Sequence, residues 1–239
     1  MRIEQFGGMT IRITGGTDGT GGGHGPVVIL LHGFGAPGDD LVSLGDAIDA
    51  PAGTRFVFPE GPLSLHLGFG NSRAWWIIDW NRVNQDIAAG RFRDLSREVP
   101  KGLPAARRGV LAMLMELEHR FGVDPRKTVF GGFSQGAMLA CDVILRTEHL
   151  FAGLVLLSGT FLAQDEWAPL MPKRRGLPVF QSHGTHDEIL PHMLAERLRD
   201  ELTKAGLRVD WHSFRGGHEI PDGIVERLGV FLRTVLSRT

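Results

Sequence analysis

The stretch that most limits what this chain can fold into is residues 127–140, KTVFGGFSQGAMLA. Thr128, Val129 and Phe130 read as a short apolar strand, and the small and apolar residues that follow read as a helix. At the junction stands Gly132-Phe133-Ser134-Gln135-Gly136, a G-x-S-x-G. A serine on a sharp strand-to-helix turn is held in a strained backbone conformation with its hydroxyl clear of the sheet, and the helix N-terminus behind it favours developing negative charge. Glycine on either side gives the turn its room. With 33 glycines in 239 residues, the pattern alone arises by chance in roughly one such chain in five. Its weight comes from the strand before it and the helix after it.

The same alternation runs through the chain. Val27–Leu31 (VVILL) is a continuous apolar run, the mark of a central strand buried on both faces. It ends in His32-Gly33-Phe34-Gly35, after which Asp39 or Asp40 can cap a helix beginning near Leu41. Further strands are expected over 9–14, 54–58, Gly153–Leu157, 178–181 and 209–214. Helices are expected from Pro104 to a stop at Gly122, from about Pro191, and over the stripe of Ile224, Leu228, Phe231 and Val235. Strands alternating with helices of this length call for an α/β fold, a mostly parallel central sheet with helices on both faces. The glycine-rich stretch 15–25 is followed by Pro26 and a strand rather than a helix, so it reads as a connection and not a phosphate cradle. No repeat or internal boundary divides residues 1–239, which read as one domain. An irregular insert over about 62–102 carries Trp75, Trp76 and Trp80.

Composition excludes several classes. A net charge of −1, spread along the chain, argues against nucleic-acid or anionic-membrane partners. Lys173-Arg174-Arg175 is the one compact basic run and reads as a solvated loop. The single cysteine, Cys141, rules out an internal disulfide, and its place in the helix after Ser134 suggests a small buried hydrophobe. The N-terminus MRIEQFGGMT has no apolar signal core and no stretch reaches transmembrane length. A soluble cytoplasmic protein is the expectation, and a homodimer is one assembly the sequence allows.

In a parallel sheet, reactive groups gather at the carboxyl ends of the strands. Two further chemical residues fall at such ends: Asp187 in His183-Gly184-Thr185-His186-Asp187, and His218 in Gly216-Gly217-His218-Glu219. A hydroxyl is a poor nucleophile near neutral pH unless an imidazole takes its proton and a carboxylate fixes that imidazole. Ser134, Asp187 and His218 are such a set, in the chain order this arrangement requires. The backbone N–H groups of Phe34 and Gln135 are candidates for an oxyanion hole. Taken singly, an Asp after a strand is usually a cap and a His among glycines a loop residue; their joint arrival at strand ends gives them a shared role. Glu188 and His186 are substitutes of lower rank, and His183 and His32 are expected to shape their own turns. A competing reading takes Gly33-x-Gly35-x-x-Gly38 with Glu60 as a dinucleotide fingerprint. It leaves Ser134, Asp187 and His218 without a role.

Together, HGFG, GGFSQGAMLA, HGTHDEILP and GGHEIP resemble the phospholipase/carboxylesterase group of α/β-hydrolases, which includes the acyl-protein thioesterases and bacterial carboxylesterases. The resemblance covers most of residues 27–236. It implies a serine hydrolase without cofactor or metal, with Ser134 as nucleophile, His218 as base, Asp187 as its orienter, and Phe34 and Gln135 as oxyanion donors. Its substrate would be a small-molecule ester, with a thioester open to it. Arg73-Ala74-Trp75-Trp76 resembles the family's tryptophan-bearing segment, which makes Trp75 and Trp76 candidate substrate-binding residues. The segment 81–102 is longer and more polar than usual there, and the chain has no tyrosine. A wall of Trp75, Trp76 and Trp80, with Trp167 and Met171 from a later loop, leads to an expectation of short-to-medium acyl chains. Lysophospholipase or acyl-protein thioesterase action, peptidase action, and a silent ligand-binding member of the fold are the alternatives.

Overall fold

The computed structural model describes residues 1–65, 70–90 and 94–237, apart from the side chain of Trp80. The chain runs β1 (Arg2–Phe6), β2 (Met9–Gly16), β3 (Thr20–Gly22), β4 (Val27–Leu31), α1 (Leu44–Ala47), β5 (Arg55–Pro59), β6 (Leu63–Ser64), β7 (Arg73–Ala74) and α2 (Trp80–Ala88). It continues through α3 (Leu103–Phe121), β8 (Thr128–Phe133), α4 (Gln135–Arg146), β9 (Gly153–Leu157), α5 (Gln164–Trp167), β10 (Pro178–Gly184), α6 (His192–Lys204), β11 (Arg208–Phe214) and α7 (Asp222–Leu236).

Nine of the strands form one sheet in the order β1-β2-β5-β4-β8-β9-β10-β11, with β3 paired to β2. From β5 to β11 every neighbouring pair is parallel, and β1 and β2 close one edge antiparallel. The VVILL run behaves as a doubly buried strand must. Val27, Ile29 and Leu31 join the core under α3 and α4, while Val28 and Leu30 join the core under α7. Helix α3 ends where glycine was expected to stop it: Gly122 takes φ 61° and its N–H bonds back to Leu117.

The differences from the sequence reading have local causes. The helix expected at Leu41 shrinks to the four residues of α1, and its N-cap Ser43 gives no side-chain bond. The expected loop 15–25 contains β3, folded by Asp18, which accepts the N–H groups of Thr20 and Gly22. Within the irregular segment lies α2, capped by Asp79 on the Arg82 N–H. Residues 66–69 and 91–93 of that segment lie outside the described residues.

Candidate active site

Ser134 is where β8 becomes α4. Its φ is 54° and ψ −118°, a backbone conformation that L-residues rarely adopt. Two hydrogen bonds and a central strand pin it there. Its N–H donates to Leu157 O at 2.8 Å, its carbonyl accepts the first helical bond from Met138 N at 3.1 Å, and the strand it leaves is central. The flanking glycines are explained by the end of β4: a Cβ on Gly132 would stand 2.5 Å from Leu31 O, and one on Gly136 would strike the same carbonyl. The elbow therefore lies directly on the strand that carries His32–Gly35.

Asp187 and His218 follow β10 and β11, two paired parallel strands whose ends share the sheet's carboxyl edge. His186 N and Thr185 N bond to Gly216 O and Phe214 O, so the two loops are laced together. The result is a continuous chain of bonds. Ser134 Oγ lies 2.8 Å from His218 Nε2, and His218 Nδ1 lies 2.7 Å from Asp187 Oδ2. The other carboxylate oxygen accepts the N–H groups of Ile189 and Leu190 at 3.0 and 2.9 Å. Burial by itself raises the Asp187 carboxyl; the hydrogen bonds from His183 and His218 outweigh it and hold the group well below the usual carboxylate range. An ionised Asp187 fixes the proton of His218 on Nδ1 and leaves Nε2 to accept from the serine. Phe133 packs on the His218 ring at 4.8 Å between centroids, and Ser158 Oγ reaches Glu219 O at 3.3 Å. Glu188 and His186 are both exposed, and His186 bonds Thr185. The structure brings together Ser134, Asp187 and His218 and leaves the substitutes outside.

The Phe34 loop is built from His32. That ring is buried; burial holds its pKa down, against the pull of Gly33. Its Nδ1–H donates to Gly33 O at 2.7 Å and its Nε2 accepts from Gly61 N at 2.9 Å, so both nitrogens are spent on the turn. Phe34 and Gln135 both border the cavity in front of Ser134. Gln135 opens α4, where a backbone N–H has no acceptor within its own helix.

Glu60 is occupied by Arg12 and Arg73, at 2.9 and 2.7 Å. The four-residue α1 offers no helix for a phosphate, so the dinucleotide reading fails on both its parts.

The cavity measures about 760 Å³ and extends from Ser134 and His218 beneath α2, with Trp76, Ile78, Val83, Leu95, Leu162 and Leu190 on its walls. Among the described side chains the expected wall of indoles contracts to Trp76; the side chain of Trp80 lies outside the described residues. Trp75 lies behind it, buried, with its indole N–H on His32 O and its main-chain N–H on Gln135 Oε1. Trp167 spends its indole N–H on buried Asp142 and Met171 packs in the core. Three features escaped the sequence reading: the gripping side chain of Gln135, the contact of His183 with Asp187, and α2 as a cavity wall. Gln135 and His183 both stand inside the quoted motifs, but a motif does not say where a side chain points.

Among the described residues, no group of three or more His, Cys, Asp or Glu is placed to hold a metal ion. No helix among them is long and apolar enough to cross a membrane.

The chain is similar to known proteins. The acyl-protein thioesterase 1 of Emericella nidulans is 26% identical over 222 residues, covering 89% of this chain and 91% of the relative. That of Candida albicans is 28% identical over 229 residues, with 88% and 92% covered. Among solved structures, esterase PE8 superposes with a TM-score of 0.77 at 26% identity, over 99% of this chain and all of that one. The carboxylesterase of Bacillus cereus shares the fold, with a TM-score of 0.70 at 23% identity over 95% and 94%. The family profile described as phospholipase/carboxylesterase matches residues 20–236, and the chain belongs to that family of α/β-hydrolases.

Proposed function

We propose that this serine hydrolase of esters or thioesters works through an acyl-enzyme on Ser134. His218 Nε2 takes the hydroxyl proton as Oγ attacks the acyl carbonyl, and the imidazolium formed is stabilised by Asp187. The tetrahedral oxyanion is received by the N–H groups of Phe34 and Gln135. His218 then gives the proton to the departing alcohol or thiol. Water, deprotonated by the same imidazole, attacks the acyl-serine and releases the acid. The observation that carries this reading is the unbroken bond chain from Ser134 Oγ to Asp187 at the mouth of an apolar cavity.

Cavity size widens the expectation on acyl length at the long end. At about 30 Å³ for a water-sized group, the 760 Å³ present exceeds what a short acyl chain fills. The proposed substrates are esters or thioesters of small molecules with acyl chains from short through medium to long, in a cytoplasmic setting. The test is a p-nitrophenyl ester series from C2 to C16, run beside an acyl thioester and a lysophospholipid. A burst of p-nitrophenol equal to the enzyme present supports the acyl-enzyme. A purified enzyme that neither bursts nor labels with a fluorophosphonate overturns it.

A further inference from the structure

Behind the triad stands a second imidazole. His183, in β10, has no exposed surface. Its Nε2 is 2.8 Å from Leu190 O and 3.2 Å from Asp187 Oδ2. A carbonyl oxygen only accepts, so Nε2 carries the hydrogen. That one N–H thus faces both ends of the 187–190 turn, the carboxylate at its start and the carbonyl at its end. Within the turn, Asp187 Oδ1 already accepts from Ile189 and Leu190. Those two residues also line the cavity. Nδ1 of His183 has no hydrogen-bond partner among the described residues, and neither has Nε2 of His192 in α6, whose ring lies 5.9 Å away, edge-on. The charged groups on that side are Glu196, 3.4 Å from His192 Nδ1, and Arg199, over the Trp211 ring. Neither has a bond to His183, so its one anchored contact is with the turn.

We infer that His183 is a positioning residue for hydrolysis: its Nε2–H clamps the 187–190 turn, setting at once the angle at which Asp187 meets His218 and the place of Ile189 and Leu190 in the acyl wall. The inference rests on the proposed roles of Ser134, Asp187 and His218. Those roles are checked first, by fluorophosphonate labelling of wild type and of Ser134→Ala; labelling that survives the serine change sinks them, and this proposal with them.

With labelling confined to Ser134, the comparison is His183→Gln against His183→Leu. Glutamine's Nε2 is as many bonds from Cα as the histidine's, so it keeps a donor in place; leucine keeps bulk and loses the donor. Leucine should lower kcat about tenfold to a hundredfold, as loss of an orienting hydrogen bond does elsewhere. It should also move the acid limb of kcat/KM upward by about half a pH unit, because a carboxylate with one donor fewer holds the protonated imidazole more firmly. Glutamine should restore the limb and most of kcat. A leucine variant with a lower Tm but an unmoved acid limb would show that His183 only packs. If that variant does not fold, nitrogen-15 NMR of wild type decides: a His183 ring carrying its hydrogen on Nε2 supports the clamp, and one carrying it on Nδ1 overturns it.

Discussion

The side chain of Gln135 grips the main chain of Trp75, its Oε1 accepting that residue's N–H at 2.9 Å, while its Nε2 donates to the next carbonyl, Trp76 O, at 2.9 Å. The residue after the elbow serine therefore holds the segment that walls the cavity, and Trp75 in turn holds His32 O. The start of α4, the turn at His32 and the Trp75–Trp76 segment are one buried hydrogen-bonded unit. Gln135→Leu keeps the volume and strands two buried backbone groups. Each costs about 1–3 kcal/mol, so urea denaturation should show a loss of about 2–6 kcal/mol, with kcat falling alongside. A loss below about 0.5 kcal/mol would mean that the grip is not made in solution.

The strained backbone at Ser134 separates activity from stability. Ser134→Ala should lower turnover by about 10⁴ to 10⁶ while leaving stability nearly unchanged, because alanine inherits the same positive φ. Ser134→Gly should be equally inactive yet more stable, by about 1 kcal/mol, since glycine accepts that conformation freely. Thermal denaturation of the two variants side by side makes the comparison. A glycine variant less stable than the alanine one would show that the elbow stores no strain.

His218→Ala should be nearly as damaging as Ser134→Ala, and Asp187→Asn severe, because the amide leaves the imidazole in the wrong tautomer. Exposed Glu188 should tolerate glutamine with less than a threefold change in kcat/KM. If Glu188→Gln were the worse acidic change, the assignment of Asp187 would fall.

Asp187 also leaves a mark on stability. Its folded carboxyl titrates below the unfolded value of about 4. A depressed acid contributes stability above its unfolded pKa and loses it as pH falls toward the folded one, where the unfolded chain binds the extra proton. Wild type should thus weaken as pH drops below about 4. Asp187→Asn should weaken less steeply, by up to about 1.4 kcal/mol per pH unit. Equal slopes in urea titrations at pH 3 to 5 would contradict the depressed carboxyl.

How much of this was legible beforehand depended on the physics behind each element. Val27–Leu31 and Gly153–Leu157 were readable to the residue, because central parallel strands are apolar on both faces and bounded by turn residues. That Ser134, Asp187 and His218 would meet was readable because all three follow strands that end on one edge of the sheet. β1 was not: it is a half-exposed edge strand, RIEQF, with only Phe6 fully buried. Nor was α2, whose polar sequence WNRVNQDIA buries Val83 against the cavity. Asp142 was silent for another reason. An acid in the middle of a helix reads as solvated, yet here it is fully buried, bonded by Arg107 at 2.6 Å, Arg146 at 2.9 Å and the Trp167 indole at 2.9 Å.

That buried acid ties α3, α4 and α5 together behind the elbow. Asp142→Ala would leave Arg107 and the indole without their partner, a change of the kind that costs about 3–5 kcal/mol. Chemical denaturation should show it, with KM for a short ester unchanged in the folded remainder. A cost under about 1 kcal/mol would mean that the network relaxes around water.

Acyl-chain length tests the cavity itself. Of the five tryptophans, Trp76 alone is described on its wall, beside aliphatic side chains that include the buried Val83 and Leu162, the rings of Phe34 and Phe133, and the charged Asp79, Arg82, Glu98 and Lys101. A wall of this kind takes up each added methylene, worth about 0.8 kcal/mol or roughly fourfold in kcat/KM when fully buried. Partial burial should leave a climb of about twofold to fourfold per carbon from C2 through C8, continuing more slowly to C12. Val83→Phe places a ring in that path from α2, so it should flatten the climb above about C6 and leave C2 and C4 rates within twofold. Trp76→Ala enlarges the cavity and should shift the best chain length upward. A wild-type profile that peaks at C2 to C4, unmoved by Val83→Phe, would mean that the acyl group does not enter this cavity at all.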